Sequence, residues 1–290
     1  MSEVAVIFGM QRCGSNFFLS ASSRFEDLSV FGEMYHRGGV FPFQQDHVKD
    51  YEVKQRLAWG IRNETAGSAE AFFEDWDFAL PYSAETDALL NKMLVQFSHK
   101  YPGKYFGAMK QSVVDSRMLF KIFPEHLGLF QILSILHQHR PKVVLMVRDP
   151  VDSFISYKKL TETKKPQDVD TSGLKIVFNR AEYYEYKAGL VAYFKAISDY
   201  CLDEGLEVAT VSYEELHNEG EPDKIEKVRR AVERLFQSPV NMRQDAGQVK
   251  LFKKQDKSES NAEKVTNPGQ LPRSPQRLIE EGLGLRSLMS

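Results

Sequence analysis

Two stretches of this chain space anion-gripping residues in a way that invites chemistry. The first is Gly9-Met10-Gln11-Arg12-Cys13-Gly14-Ser15-Asn16, a turn bounded by glycines with a guanidinium just ahead of the second. The second is Arg148, followed eight residues later by Ser156. Arginine offers a rigid fork of donors matched to phosphate or carboxylate oxygens, and a serine hydroxyl can donate to the same anion. The Gly9-x4-Gly14 spacing is that of a Walker A loop, yet Ser15-Asn16 stand where Lys-Ser/Thr is required. An ordinary ATPase or kinase loop is therefore not expected, and nor is a bound Mg2+. Arg12 supplies the positive charge instead.

The elements around these residues must present them at one place. Ser2 to Phe8 reads as a short apolar strand, and Phe17, Phe18, Leu19 and Ala21 begin a helix. Strand, glycine turn and helix N-terminus form a phosphate cradle of backbone N–H groups and helix dipole. Val143 to Val147 reads as a strand buried on both faces. Asp149 then caps a helix with Pro150 at its first position, and Asp152 adds negative charge to the first turn. Leu28 to Phe31, Tyr105 to Lys110 and Glu207 to Ser212 are further strand candidates. Helical periodicity runs through Val53 to Ile61, Ala69 to Trp76, Ala84 to Phe97, Ser116 to Phe123, His126 to Gln138, Ala181 to Leu202 and Asp223 to Phe236. Strands alternating with helices predict an α/β fold with a parallel sheet flanked by helices. Glu33 and Lys110 both fall at predicted strand ends, where open α/β sheets bind ligands.

The two stretches together resemble the sulfotransferase family that uses 3'-phosphoadenosine 5'-phosphosulfate (PAPS). The carriers are Arg12-Cys13-Gly14-Ser15-Asn16-Phe17, then Arg148 and Ser156 within and after Arg148-Asp149-Pro150-Val151-Asp152, then Tyr213-Glu214-Glu215-Leu216. The resemblance implies a P-loop NTPase-like fold. It also implies that the first loop holds the 5'-phosphosulfate and that Arg148 and Ser156 hold the 3'-phosphate. Cys13 replaces the more usual Ser. Gly32-Glu33-Met34-Tyr35-His36 is similar to a stretch of bacterial carbohydrate-type members, which implies Glu33 as general base with His36 as the second candidate. By the same resemblance Lys110 lies beside the transferred sulfonyl group. Cytosolic members carry a catalytic His two residues further on, where this chain has Ser112, so the phenol-and-steroid version is not implied. Lys250 to Gln255, with Lys253, Lys254 and Gln255, is similar to a basic C-terminal loop closing over the nucleotide, and Asn261 to Asn267 to the stretch after it. PAPS is then the donor, with no metal, and a hydroxyl or amine of a small molecule or glycan is the acceptor.

Bulk properties are those of a soluble globular protein. The chain is 42% hydrophobic and 27% charged, ordinary for a globular protein, and long enough for a sizeable core. A net charge of −2 offers nothing to nucleic acid, so a polyanionic ligand must be held by local cations. Two cysteines, the lack of a leader-like start and of a long apolar run predict a cytoplasmic protein without a membrane span. We expect one domain over residues 1–290, with an aromatic-rich helical insertion at about 35–100 on the acceptor side and a polar segment at about 239–290. Two other readings stay open: a small-molecule kinase of the same fold, and a non-catalytic nucleotide-binding module. The residues specify neither a particular acceptor nor an oligomeric state.

Overall fold

Five parallel strands carry the architecture in this computed structural model, which describes residues 3–42, 46–66, 71–113, 115–163, 170–217, 221–252, 258, 260–272 and 283–289. They are β1 (Glu3–Phe8), β2 (Leu28–Val30), β3 (Arg117–Ile122), β4 (Lys142–Val147) and β5 (Val208–Ser212), in the sheet order β2-β3-β1-β4-β5. The helices among the described residues are α1 (Ser15–Ser22), α2 (His47–Thr65), α3 (Ala84–Lys100), α4 (Pro102–Ser112), α5 (Leu129–His139), α6 (Pro150–Thr163), α7 (Arg180–Asp203), α8 (Tyr213–His217) and α9 (Glu221–Phe236). This is the predicted α/β, P-loop-like fold.

Strand alternation feeds two cores. Val4, Val6 and Phe8 join one cluster with residues of α2, α3, α4, α5 and α7, while Ala5 and Ile7 join the other with α1 and α9. β1 pairs with β3 on one side and β4 on the other. The loops that follow β1 and β4 therefore leave adjacent strand ends at the crevice of the sheet, the usual ligand position of such folds.

Two expected elements change type. Tyr105 to Lys110, predicted as a strand, lies in α4, and Ser116 to Phe123, predicted as a helix, contains β3. Pro102 is not a turn before a strand but the first residue of the helix, where its missing N–H is harmless. Tyr105, Phe106, Ala108 and Met109 are buried at helical spacing. In β3 every residue after Arg117 is buried, the charged Lys121 included. A central parallel strand shows no alternation, so that lysine mimicked the polar face of a helix. Residues 71–76, within the predicted helix Ala69 to Trp76, are not helical.

The segment beyond α9 is not simply a polar tail. Thr210 N–H donates to the Arg286 carbonyl at 2.9 Å, and Leu288 N–H to the Thr210 carbonyl at 2.9 Å. These bonds cover the outer edge of β5, and Leu288 is buried. No helix among the described residues is long and apolar enough to cross a membrane.

Candidate active site

The loop after β1 is built by unusual backbone geometry. Arg12 and Gly14 both adopt left-handed conformations, with φ of 71° and 89°. Gly14 is the N-cap of α1 and no side chain caps it, a helix start of the kind that can bind an anion. Gly9 has a steric reason: a Cβ there would come within 2.7 Å of Cys13 Sγ. Cys13 is thus turned into the core, and burial raises its pKa. Phe17 also points inward and packs in the same cluster. Of the predicted contacts here, Cys13 and Phe17 could offer only their backbones, while Asn16 faces the sheet end with its side chain bonded by Lys121.

The Arg148 turn sits against this loop. Asp149 Oδ1 accepts from Val151 N–H at 2.9 Å and Asp152 N–H at 3.0 Å, the predicted cap. Arg148 Nη1 donates to the Arg12 carbonyl at 2.7 Å, and Arg12 Nε donates to Ser156 Oγ at 3.1 Å. The Tyr213-Glu214 pair supports the turn from β5. The Arg148 guanidinium lies 4.0 Å from the Tyr213 ring centroid, and Glu214 accepts from both Asp149 N–H and Ser212 Oγ at 2.9 Å. Arg148 Nε is buried with no hydrogen-bond partner. A buried donor left unmatched is costly, and here it fits an anionic ligand.

Glu33 reaches the same sheet end from the other side. The Lys121 N–H donates to the Gly32 carbonyl at 3.3 Å, extending the β2–β3 pairing two residues past Val30 and setting Glu33 beside Lys121. Val40 N–H donates to Asn91 Oδ1 at 2.7 Å, tying the returning loop to α3. Lys121 Nζ lies 2.9 Å from Glu33 Oε1, and His126 Nε2 lies 3.5 Å from Glu33 Oε2. Burial works to raise the Glu33 pKa, but the His126 N–H and the Lys121 charge outweigh it and bring the carboxyl down to about 2.

His36 and His126 stand edge to face with ring centroids 5.4 Å apart, and burial lowers the His36 pKa. With Glu33 they bring three potential metal-ligand atoms within 4.8 Å of one another. The backbone argues for a different use. Phe123 N–H donates to His126 Nδ1 at 3.1 Å, and Gly38 N–H to His36 Nδ1 at 3.0 Å. Each neutral ring then carries its proton on Nε2, so a cation there would have to break the backbone bond. The two rings present N–H donors to the site.

Lys110 does not occupy the predicted place. It is in the last turn of α4, where its charge bears on His139. The lysine at a strand end beside Glu33 is Lys121, and it was missed because Arg117 to Phe123 read as a helix. His126 was missed as well. Its signal was a His three residues after the apolar run, in Phe123-Pro124-Glu125-His126, a turn following a strand. Lys253, Lys254 and Gln255 lie outside the described residues.

The C-terminal stretch docks beside this site. Lys264 Nζ, almost wholly buried, donates to Asp152 Oδ1 at 2.7 Å and Asn261 Oδ1 at 3.0 Å. Asn267 pairs with both backbone groups of Phe178, at 2.8 and 3.0 Å.

Comparison with known proteins adds the following. Residues 3–267 match the family model described as a sulfotransferase domain. No curated protein matches the chain. Among solved structures, the sulfotransferase domain from the curacin biosynthetic pathway is similar at 12% identity, covering 93% of this chain and 85% of that one, with a TM-score of 0.44. The sulfotransferase domain of the Synechococcus PCC 7002 olefin synthase is similar at 15% identity, with 99% and 86% covered and a TM-score of 0.37.

Proposed function

Because the chain belongs to the sulfotransferase domain family, we propose that it transfers a sulfuryl group from PAPS to a hydroxyl, or alternatively an amine, of a small-molecule or glycan acceptor. The observation that carries this reading is the meeting of Arg12, Arg148 and Ser156, joined by the 3.1 Å and 2.7 Å bonds across 144 and 136 residues. Two cation-lined positions side by side suit a nucleotide phosphorylated at both ends. When bound, the donor supplies the sulfuryl group and retains the electrons of the broken S–O bond on its 5'-phosphate.

The chain's own residues have distinct tasks in this scheme. The α1 N-terminus and Arg12 hold the 5' end and stabilise the negative charge that grows there. Arg148, with its unmatched Nε, and Ser156 hold the 3'-phosphate, which separates PAPS from ATP. Glu33 takes the acceptor's hydroxyl proton as that oxygen attacks. His126 Nε2 stands 3.5 Å from Glu33 Oε2, and the His36 N–H and the exposed Phe41 ring beside it face the acceptor. Helices α2 to α4, between β2 and β3, supply the acceptor-side walls within one domain spanning residues 1–290.

A thermal-shift comparison tests the reading. Without metal, 3'-phosphoadenosine 5'-phosphate should raise the melting temperature more than ATP-Mg2+ does. A ligand at a hundred times its dissociation constant stabilises by about 2.7 kcal/mol, ample to detect. Stronger protection by ATP-Mg2+ would replace the sulfotransferase with a kinase.

A further inference from the structure

Lys121 stands between the two halves of the site. Its side chain is only 3% exposed, and its ammonium is shared between Asn16 Oδ1, in the first turn of α1, and Glu33 Oε1 at 2.9 Å. It also lies 4.8 Å from the Phe123 ring centroid. A buried ammonium has to keep partners, because leaving one unpaired is strongly destabilising. Asn16 sets one partner at the anion cradle itself, while Glu33 is the group assigned to accept a proton. The lysine can therefore reach cradle and base from one position.

The two assignments conflict as the side chains stand. A general base works best with a pKa near the operating pH, and Glu33 is held at about 2. The groups around it are Lys121 from β3, and His126 and Glu125 from the turn after it. On its own loop stands His36, with Arg37 and His99 behind the two imidazoles. Of these, Lys121 has a full charge on the carboxylate and also a second partner at the cradle.

We propose that Lys121 is a donor-sensitive restraint on Glu33: its ammonium leaves Oε1 for the anionic oxygens of a sulfuryl donor seated on the Gly9–Gly14 loop, and the carboxylate is then free to take the acceptor's proton. The proposal rests on the sulfotransferase reading. The charge logic is direct, since a donor carrying several negative charges outcompetes a single carboxylate for one ammonium. Acceptor activation thereby follows donor binding, and Lys121 acts through Glu33 as a positioning residue.

Isothermal titration calorimetry tests this without any acceptor. The wild-type chain is titrated with PAPS, and separately with 3'-phosphoadenosine 5'-phosphate, near pH ~5 in two buffers of different ionisation enthalpy. Release of Lys121 raises the Glu33 pKa from about 2 toward the ordinary carboxyl value of about 4.3, with His126 still holding it down, so the complex takes up a fraction of a proton per nucleotide. Glu33→Gln should bind with that uptake removed, which also subtracts protonation of the nucleotide itself. Lys121→Gln, whose Glu33 is already unrestrained, should lose it too, so either variant suffices if the other fails to fold. Nucleotide binding with equal proton counts in wild type and variant would overturn the restraint alone. Absence of nucleotide binding to the wild type would overturn the sulfotransferase reading and the restraint with it.

Discussion

Arg12 Nε donates to Ser156 Oγ at 3.1 Å, so the guanidinium of the first loop is held by the hydroxyl assigned to the 3'-phosphate. The two halves of the proposed nucleotide site are thereby one hydrogen-bonded unit, with the Arg148 bond to the Arg12 carbonyl as its second tie.

Arg148→Ala should weaken 3'-phosphoadenosine 5'-phosphate binding by roughly 2–4 kcal/mol, since a charge-assisted fork is lost. Ser156→Ala should cost less, on the order of 1 kcal/mol. Adenosine 5'-phosphosulfate, which lacks the 3'-phosphate, should bind both variants almost as it binds wild type. Calorimetry with the two nucleotides side by side decides it, and equal losses would make both residues structural.

Glu33→Gln keeps the shape and removes the proton-accepting power, so turnover should fall by about 10²–10⁴ while nucleotide affinity does not fall. The same carboxyl should also show in acid stability. Its folded pKa of about 2 is below the ordinary value, so its contribution is fully present above the unfolded pKa and lost as pH falls through the folded one. Wild type should therefore lose more stability than Glu33→Gln between about pH 4 and pH 2. Denaturant midpoints measured down that range would show parallel lines if the Lys121 pairing contributes nothing.

Gly9→Ala should destabilise the first loop, because the new Cβ meets Cys13 Sγ at 2.7 Å. Overpacking of this kind costs about 1–3 kcal/mol. Cys13→Ala removes the sulfur, so the double variant should recover part of the loss relative to Gly9→Ala alone. A double-mutant cycle with no coupling would place the clash elsewhere.

Asp152→Ala leaves the nearly buried Lys264 ammonium with only Asn261 and should cost about 3–5 kcal/mol, as breaking a buried pair does. Lys264→Met should be milder, since Asp152 keeps water and Arg148, whose Nη2 lies 4.0 Å away. Thermal melts of the two variants should fall in that order.

Sequence and tertiary structure divided the work unevenly. Local pattern alone disclosed the glycine turn after β1, the Asp149-Pro150 helix start after β4 and the order of most elements. These signals lie within a few residues: an apolar run, a left-handed glycine, a side-chain cap. The positions of Arg12, Arg148 and Ser156 were legible for the same reason, since each sits at a fixed step from such a signal.

The elements around Glu33 were decided only by packing. Tyr105 to Lys110 and Arg117 to Ile122 exchanged their expected types because short apolar runs fit a helix or a strand equally well, and burial between neighbours decides. Tyr105 and Phe106 pack as a helix against their neighbours in the core, and β3 fits between β1 and β2. That exchange moved the strand-end lysine from Lys110 to Lys121. The contact of Lys121 with Glu33 and Asn16 spans three separate elements, and no local propensity encodes it. It exists because parallel β2–β3 pairing extends two residues past the strand and sets a carboxylate and an ammonium side by side where the sheet opens onto the cradle.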